Sequence, residues 1–248
     1  MDLGINYKDF VEDYLKGNHF VWIKGKRYFV MDDHKFLMPD RYERDLGIHA
    51  VMSVVSHIRN TWEPNTTKMV KDKIKEGMTV VDIGASIGYF TLLLSRCVGK
   101  TGKVYSFEPT PNQFPYLTEN IRVNGYSDRV KTFNIAAWDN KDGVKMPPID
   151  KKWDCPSIPV DEVLKDTKID FIKIDVDGSE AHVLRGLDRT FNLNPDLQIM
   201  FEYYPRCLIE CGEDPKEIMK MVDKYFTHEI IPDDIVPEDG ANLWCRRK

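Results

Sequence analysis

The chain is short of cysteine, of excess charge of one sign and of long apolar runs, and each shortage excludes something. Its 248 residues hold five cysteines, Cys97, Cys155, Cys207, Cys211 and Cys245, an odd number widely scattered. A disulfide scaffold needs a denser, usually even set in a shorter chain, so buried free thiols are the better reading. Cys207 and Cys211 have C-x3-C spacing, but no second ligand pair follows to complete a zinc site. No stretch approaches the ~18 consecutive apolar residues of a membrane span. MDLGINYKDF, at the start, carries neither the basic nor the apolar region of a secretion signal, so a reduced, cytoplasmic compartment is expected. Without such a signal the sequon at Asn65-Thr66-Thr67 carries no weight. Forty acidic against thirty-five basic residues leave a net charge of -5, so the basic excess of a duplex-binding domain is missing. No nucleic-acid partner is expected. Internal repeats and low-complexity linkers are absent as well.

What is present is an ordinary globular composition, 42% hydrophobic and 30% charged, in a length that suits one large domain with an appendage. FVWIKGKRYFV, from Phe20 to Val30, is two β-rich runs around Lys24-Gly25-Lys26 and predicts a hairpin. Ile48 to Ile58 predicts a helix, ended by Trp62-Glu63-Pro64. From Lys68 onward, apolar strands alternate with helix-length amphipathic stretches. Strands are expected at Thr79–Ile83, Lys103–Phe107, Val130–Ala136, Asp170–Asp175 and Leu197–Glu202. Helices are expected at Lys68–Lys75, from Tyr89, through Tyr116–Asn124, at Val160–Lys165, after Ser179, and at Pro215–Tyr225. Phe226–Ile231 and Ala241–Arg246 have no helix between them and should pair antiparallel at one edge. The fold class is therefore α/β, a doubly wound and mostly parallel sheet of about seven strands with helices on both faces. Residues 1–60 form a small N-terminal extension with a hairpin, a candidate substrate cap, and 61–248 the main domain.

The chemistry centres on VVDIGASIGYFT, Val80 to Thr91. An apolar strand carries Asp82 near its end, and Gly84 and Gly88 then bracket a tight turn that opens a helix. Glycine lets the backbone approach a ligand, and the helix start offers free N–H groups. Glu108 ends the next strand, placed to accept hydrogen bonds from both hydroxyls of a ribose. Four readings compete. A dinucleotide fold would want glycine where Ser86 stands, to make room for a pyrophosphate. Gly84-Ala85-Ser86-Ile87-Gly88 also matches the G-x-S-x-G of a hydrolase elbow. That enzyme would need an oxyanion loop from an earlier strand and a late His, for which His228 is the one plausible candidate. A bare structural turn is the third reading, and S-adenosylmethionine binding the fourth.

The last reading is carried by a resemblance. VVDIGASIGYFT and VYSFEPTP resemble motifs I and II of class I methyltransferases. Adding WEPNTTKMV, LTENIRVNG and IDFIKIDVDGSEAHVLRGL makes the chain similar to the FkbM family of O-methyltransferases, over roughly Thr61 to Glu202. It departs from the family at Ser86, where Asn is usual, and at Asp177, where Glu is frequent. The resemblance implies a class I fold and S-adenosyl-L-methionine as cofactor. Asp82 would lie under the methionine portion, Gly84, Ala85, Ser86 and Gly88 would form the cradle, and Tyr89 and Phe90 would start the helix beside it. Glu108 would take the ribose hydroxyls and Pro109 pack on the adenine. Ala136 and Ala137 would line the adenine pocket, Trp138 would cover it, and Glu63 and Thr67 would close over the cofactor.

Methyl transfer to an alcohol needs a positioned hydroxyl and a group to take its proton. Alternation along FIKIDVD puts Lys173, Asp175 and Asp177 on one side, and Glu202 closes the neighbouring strand. These four are the catalytic candidates, with loop capping as the plainer role for the two aspartates. Carboxylates can also hold Mg²⁺, but no metal ligand is assigned. The expected acceptor is a hydroxyl of a sugar in a glycan or glycoconjugate. The alternatives are a macrolide or other small-molecule hydroxyl, or a cofactor-binding module without catalysis.

Overall fold

The computed structural model describes residues 21–37, 60–146, 153–231 and 240–248. The helix expected at Ile48–Ile58 lies outside the described residues.

The N-terminal part is a three-stranded antiparallel meander of β1 (Val21–Ile23), β2 (Lys26–Met31) and β3 (His34–Leu37). Lys24 and Gly25 both have positive φ, and so do Asp32 and Asp33. Each pair is thus a two-residue hairpin turn whose twist matches its strands. The first hairpin is the one expected; the second was hidden because Asp-Asp is a weak version of the Asn-Gly signal. Phe29 and Phe36 stack at 5.1 Å, and Phe36 stacks in turn on Tyr89 at 6.2 Å. The Asp32 carboxylate is held by Lys71 Nζ at 2.6 Å and Arg96 Nη2 at 2.7 Å. Aromatic packing and ion pairing together seat the meander on the main domain.

The main sheet is built from β4 (Thr79–Ile83), β5 (Lys103–Phe107), β6 (Val130–Phe133), β11 (Phe171–Ile174), β12 (Gln198–Tyr203), β13 (Phe226–Ile231) and β14 (Ala241–Arg247). Its order is β13-β14-β12-β11-β4-β5-β6. β12, β11, β4, β5 and β6 run parallel, and β14 is antiparallel to both its neighbours. β4 and β11 are buried on both faces, which is why they read as continuous apolar runs. One face packs against Val70, Leu92 and Leu93, the other against Val183, Leu184 and Leu187. Each such side chain contributes about 1.5–3 kcal/mol by leaving water. The chain winds one way from β4 to β6, then returns to β11 on the other side of β4. That reversal leaves a crevice at the carboxyl ends of β4 and β11, where ligands of such sheets bind.

The helices are α1 (Pro64–Lys73), α2 (Tyr89–Cys97), α3 (Phe114–Val123), α4 (Val160–Leu164), α5 (Glu180–Arg185), α6 (Asp188–Leu193), α7 (Pro205–Glu210) and α8 (Pro215–Tyr225). α1 starts four residues before Lys68, with Pro64 as its first residue rather than as a breaker. Proline's fixed φ suits that position, where the N–H it lacks has no helical partner. The third strand, expected over Val130–Ala136, is two pieces. The Asn134 side chain donates to Glu108 O at 2.8 Å, and the chain resumes as β7 (Ala136–Trp138), paired with β10 (Ser157–Pro159). β8 (Val144–Met146) and β9 (Trp153–Cys155) pair within the Pro-rich connection. Among the described residues, no helix is long and apolar enough to cross a membrane.

Candidate active site

The turn after β4 is fixed from three sides. The Gly84 and Ala85 N–H groups both donate to Phe107 O at 3.0 Å, and Gly88 N–H donates to Ala85 O at 2.8 Å. Asn120 Nδ2 donates to Ile87 O at 2.8 Å, while its Oδ1 accepts Leu37 N–H at 2.7 Å. Asn120 therefore ties the turn to the N-terminal meander. Gly84 has φ 80, and a Cβ there would sit 1.7 Å from Asp175 O. This is a position where only glycine fits, because the β11 backbone occupies the side-chain space. Ser86 has φ 51. Asn, usual there in the family that the sequence resembles, tolerates that left-handed conformation more readily than Ser.

Two carboxylates flank the turn. Asp82 is fully buried; Oδ2 accepts from Thr91 Oγ1 at 2.6 Å, and Oδ1 has no partner among the described residues. Burial pushes its pKa up, with the Lys173 ammonium opposing. A buried acceptor without a donor is costly, so this oxygen suits a cationic or N–H donor in the crevice. Glu108 is 4% exposed. Its Oε2 accepts Ser86 N–H and its Oε1 accepts Thr110 N–H, both at 2.7 Å. Burial raises its pKa, and these hydrogen bonds pull it back. A carboxylate has about four lone-pair sites, so acceptor capacity remains for a ribose hydroxyl. An orphaned acid oxygen beside a glycine cradle fits the methionine portion of S-adenosylmethionine, and a braced acid at the end of the next strand fits its ribose. Pro109 follows Glu108, and Ala136 and Ala137 are buried on β7.

Tyr89 and Phe90 open α2 and are both buried. The Tyr89 hydroxyl lies 3.0 Å from Thr67 Oγ1 and 3.1 Å from Thr61 Oγ1, so Thr67 joins α1 to α2. Thr67 Oγ1 also donates to Trp62 O at 2.6 Å. Glu63 accepts from Trp62 Nε1 at 2.9 Å and from Asn242 Nδ2 at 3.4 Å, and its charge reaches Lys173. Trp138 stacks on His182 at 3.8 Å. The His182 ring nitrogens lie 2.7 Å from Asp139 and 3.1 Å from Glu213, so both are engaged.

Lys173 is 3% exposed and pairs in register with Asp82. Its Nζ donates to Asp175 Oδ2 at 2.7 Å and lies 4.6 Å from the Phe90 ring centroid. Burial works against the ammonium, but Asp175, Asp82 and Glu63 outweigh it and hold the pKa above the ordinary lysine value. Asp175, Asp177 and Glu202 bring one carboxylate oxygen each to within 4.8 Å of one another. Asp177 arrives there by a turn at φ 50 rather than by strand alternation, because β11 ends at Ile174. Glu202 is pushed up to about 10, first by burial and then by Asp175, Glu180 and Asp177. Burial and the neighbouring carboxylates thus favour its protonated form. Burial and Asp175 also raise Asp177.

Sequence reasoning missed Glu180 and Asn242. Glu180 is 2% exposed, with its pKa raised to about 7 mainly by burial. As a first-turn acid of α5 it carries no local sign of a role. Asn242 sits opposite Glu202 in register and bonds Thr66 Oγ1 at 3.1 Å, a cross-chain contact that no local pattern announces.

The protein-L-isoaspartate O-methyltransferase of Methanosarcina mazei is 25% identical over 119 residues, 43% of this chain and 48% of that protein. The chain spans 28% to 51% of the length of three curated relatives of that description. A Geobacter sulfurreducens methyltransferase structure matches at TM-score 0.50 and 18% identity, covering 83% of this chain and 90% of the other. An rRNA methylase from Streptococcus thermophilus matches at TM-score 0.50 and 12% identity, covering 73% and 93%. At those identities the two structures bear on the fold alone. The methyltransferase FkbM domain matches residues 82–226, more than half of the chain. With that match and the class I sheet, the chain belongs to the FkbM methyltransferase family.

Proposed function

We propose that the protein is an S-adenosylmethionine-dependent O-methyltransferase whose acceptor is a hydroxyl of a sugar in a glycan or glycoconjugate. The observation that carries this reading is the Gly84–Asp175 contact, which sets the cradle directly against the segment just past β11 that carries Asp175 and Asp177. Cofactor and acceptor sites would thus share one wall. S-adenosylmethionine, when bound, supplies an electrophilic methyl group on a sulfonium sulfur. The chain's own part is to bind, to orient and to take a proton. Asp82 and Glu108 hold the two ends of the cofactor, Gly84, Ala85, Ser86 and Gly88 let the backbone close on it, and Glu63 and Thr67 brace the rim. Asp175, steadied by Lys173, takes the proton of the acceptor hydroxyl. Glu202, whose protonated form burial favours, donates a hydrogen bond to the acceptor, and Asp177 orients it. Residues 1–60 act as the cap that selects the acceptor, and 61–248 as the transferase domain.

A second arrangement is favoured by one observation, the close approach of Asp175, Asp177 and Glu202: these oxygens suit a hard divalent cation such as Mg²⁺. Methyl-labelled S-adenosylmethionine incubated with methyl glycosides, oligosaccharides and hydroxylated macrolides tests the proposal. Label on a glycoside hydroxyl supports it, and label on macrolides alone moves the acceptor class. Binding of S-adenosylhomocysteine with no labelled product would favour a non-catalytic module.

A further inference from the structure

Glu180 is a fourth carboxyl beside Asp175, Asp177 and Glu202. Its Oε1 accepts Val176 N–H at 3.0 Å and Gly178 N–H at 3.4 Å. Those two donors bracket Asp177. Val176–Ser179 is a β-turn closed by Ser179 N–H to Val176 O at 3.2 Å, with φ 50 at Asp177 and φ 98 at Gly178. Positive φ at both central residues marks a type I′ turn, a conformation that Asp177 adopts less readily than glycine. Such a conformation persists only where its surroundings over-determine it. From the inner side Glu180 gathers the turn's N–H groups. From the outer side α7 closes on it: a Cβ on Gly178 would lie 2.8 Å from Cys211 Sγ and 2.9 Å from Cys207 O.

We infer that Glu180 is the positioning residue of the transfer site, holding the Val176–Ser179 turn so that Asp175 and Asp177 face Glu202. The inference rests on reading that crevice as the transfer site, and it assigns Glu180 no contact with substrate. The Oε1 acceptor, rather than the charge, does the holding. Gln keeps that acceptor and Ala removes it.

Glu180→Ala should lower kcat for methyl transfer to the best glycoside acceptor by at least 10-fold, since sub-ångström misplacement of reacting groups costs about that much or more. KM for S-adenosylmethionine should stay within about twofold, because Asp82 and Glu108 lie outside the turn. Glu180→Gln should restore kcat to within about threefold. Amide exchange in the S-adenosylhomocysteine complex gives a readout that needs no acceptor. Val176 and Gly178 should exchange at least 10-fold faster in Glu180→Ala and near the wild-type rate in Glu180→Gln, with Ser86 and Thr110 unchanged in both. If wild type methylates no acceptor, the hydroxyl reading falls while the exchange experiment still decides Glu180. Unchanged kcat or unchanged exchange in the Ala variant, or a Gln variant as impaired as Ala, overturns the inference. Should Glu180→Ala not fold, a Gln variant with wild-type exchange and kcat supports it and an impaired one overturns it.

Discussion

Gly84→Ala is the sharpest perturbation this architecture offers. A Cβ at residue 84 would lie 1.7 Å from Asp175 O and 2.8 Å from Asp175 C, where ordinary contact begins near 3.4 Å. The β4 and β11 ends must then part by about 1.7 Å, against the Asp175 N–H to Ile83 O bond of 3.0 Å that joins them. Alanine at φ 80 costs about 1–2 kcal/mol for the left-handed backbone, and overpacking adds about 1–3 kcal/mol. A loss of about 2–5 kcal/mol follows, a large part of the ~5–15 kcal/mol that a domain has. Gly88→Ala is the control. Its Cβ would meet Leu117 Cδ1 at 2.8 Å, the movable end of a side chain, so about 1–2 kcal/mol is expected, mostly from φ 100. Urea unfolding measures both, and calorimetry with S-adenosylhomocysteine reads the cradle, where Gly84→Ala should abolish micromolar binding. A Gly84→Ala protein within 1 kcal/mol of wild type and binding within twofold would refute the reasoning.

Other outcomes follow from single contacts. Glu108→Ala removes the acceptor of two 2.7 Å backbone N–H bonds and the proposed ribose ligand. It should weaken S-adenosylhomocysteine binding by about 10- to 100-fold, the effect of losing hydrogen bonds to a charged group; calorimetry measures it. Glu202 binds its proton more tightly folded than unfolded, between its ordinary 4.5 and about 10. Its contribution to stability is thus whole below pH 4.5 and fades as pH rises toward 10. Glu202→Gln should therefore gain on wild type with rising pH, by at most about 1.4 kcal/mol per unit, and parallel urea-unfolding stabilities at pH 6 and 9 would contradict this. Asp32→Ala breaks the pairs to Lys71 and Arg96 and should cost about 1–2 kcal/mol in urea unfolding. If a cation bridges Asp175, Asp177 and Glu202, chelation should abolish turnover and Mg²⁺ restore it; unchanged turnover excludes that arrangement.

Much of the framework was legible because burial writes a clear period. Thr79–Ile83, Lys103–Phe107 and Pro215–Tyr225 appear with the bounds that their patterns implied. The antiparallel edge pair followed from two apolar runs without a helix between them. Less legible features depend on contacts distant in sequence. The break after Phe133 comes from Asn134 bonding Glu108 O, 26 residues away. The second N-terminal turn comes from Asp32, whose left-handed conformation is accompanied by ion pairs to Lys71 and Arg96. At the site, residue types pointed to Asp82, Glu108, Lys173 and Asp175. Glu180 and Asn242 could not be found that way, since each acts through partners that only the packed sheet brings near.

The central claim is that the crevice beside Gly84 takes S-adenosylmethionine. Titration calorimetry of the wild-type chain with S-adenosylhomocysteine tests it most directly. One site with micromolar affinity, weakened by Glu108→Ala, is the expected result. No binding by a folded wild-type protein, or binding indifferent to Glu108, would contradict it.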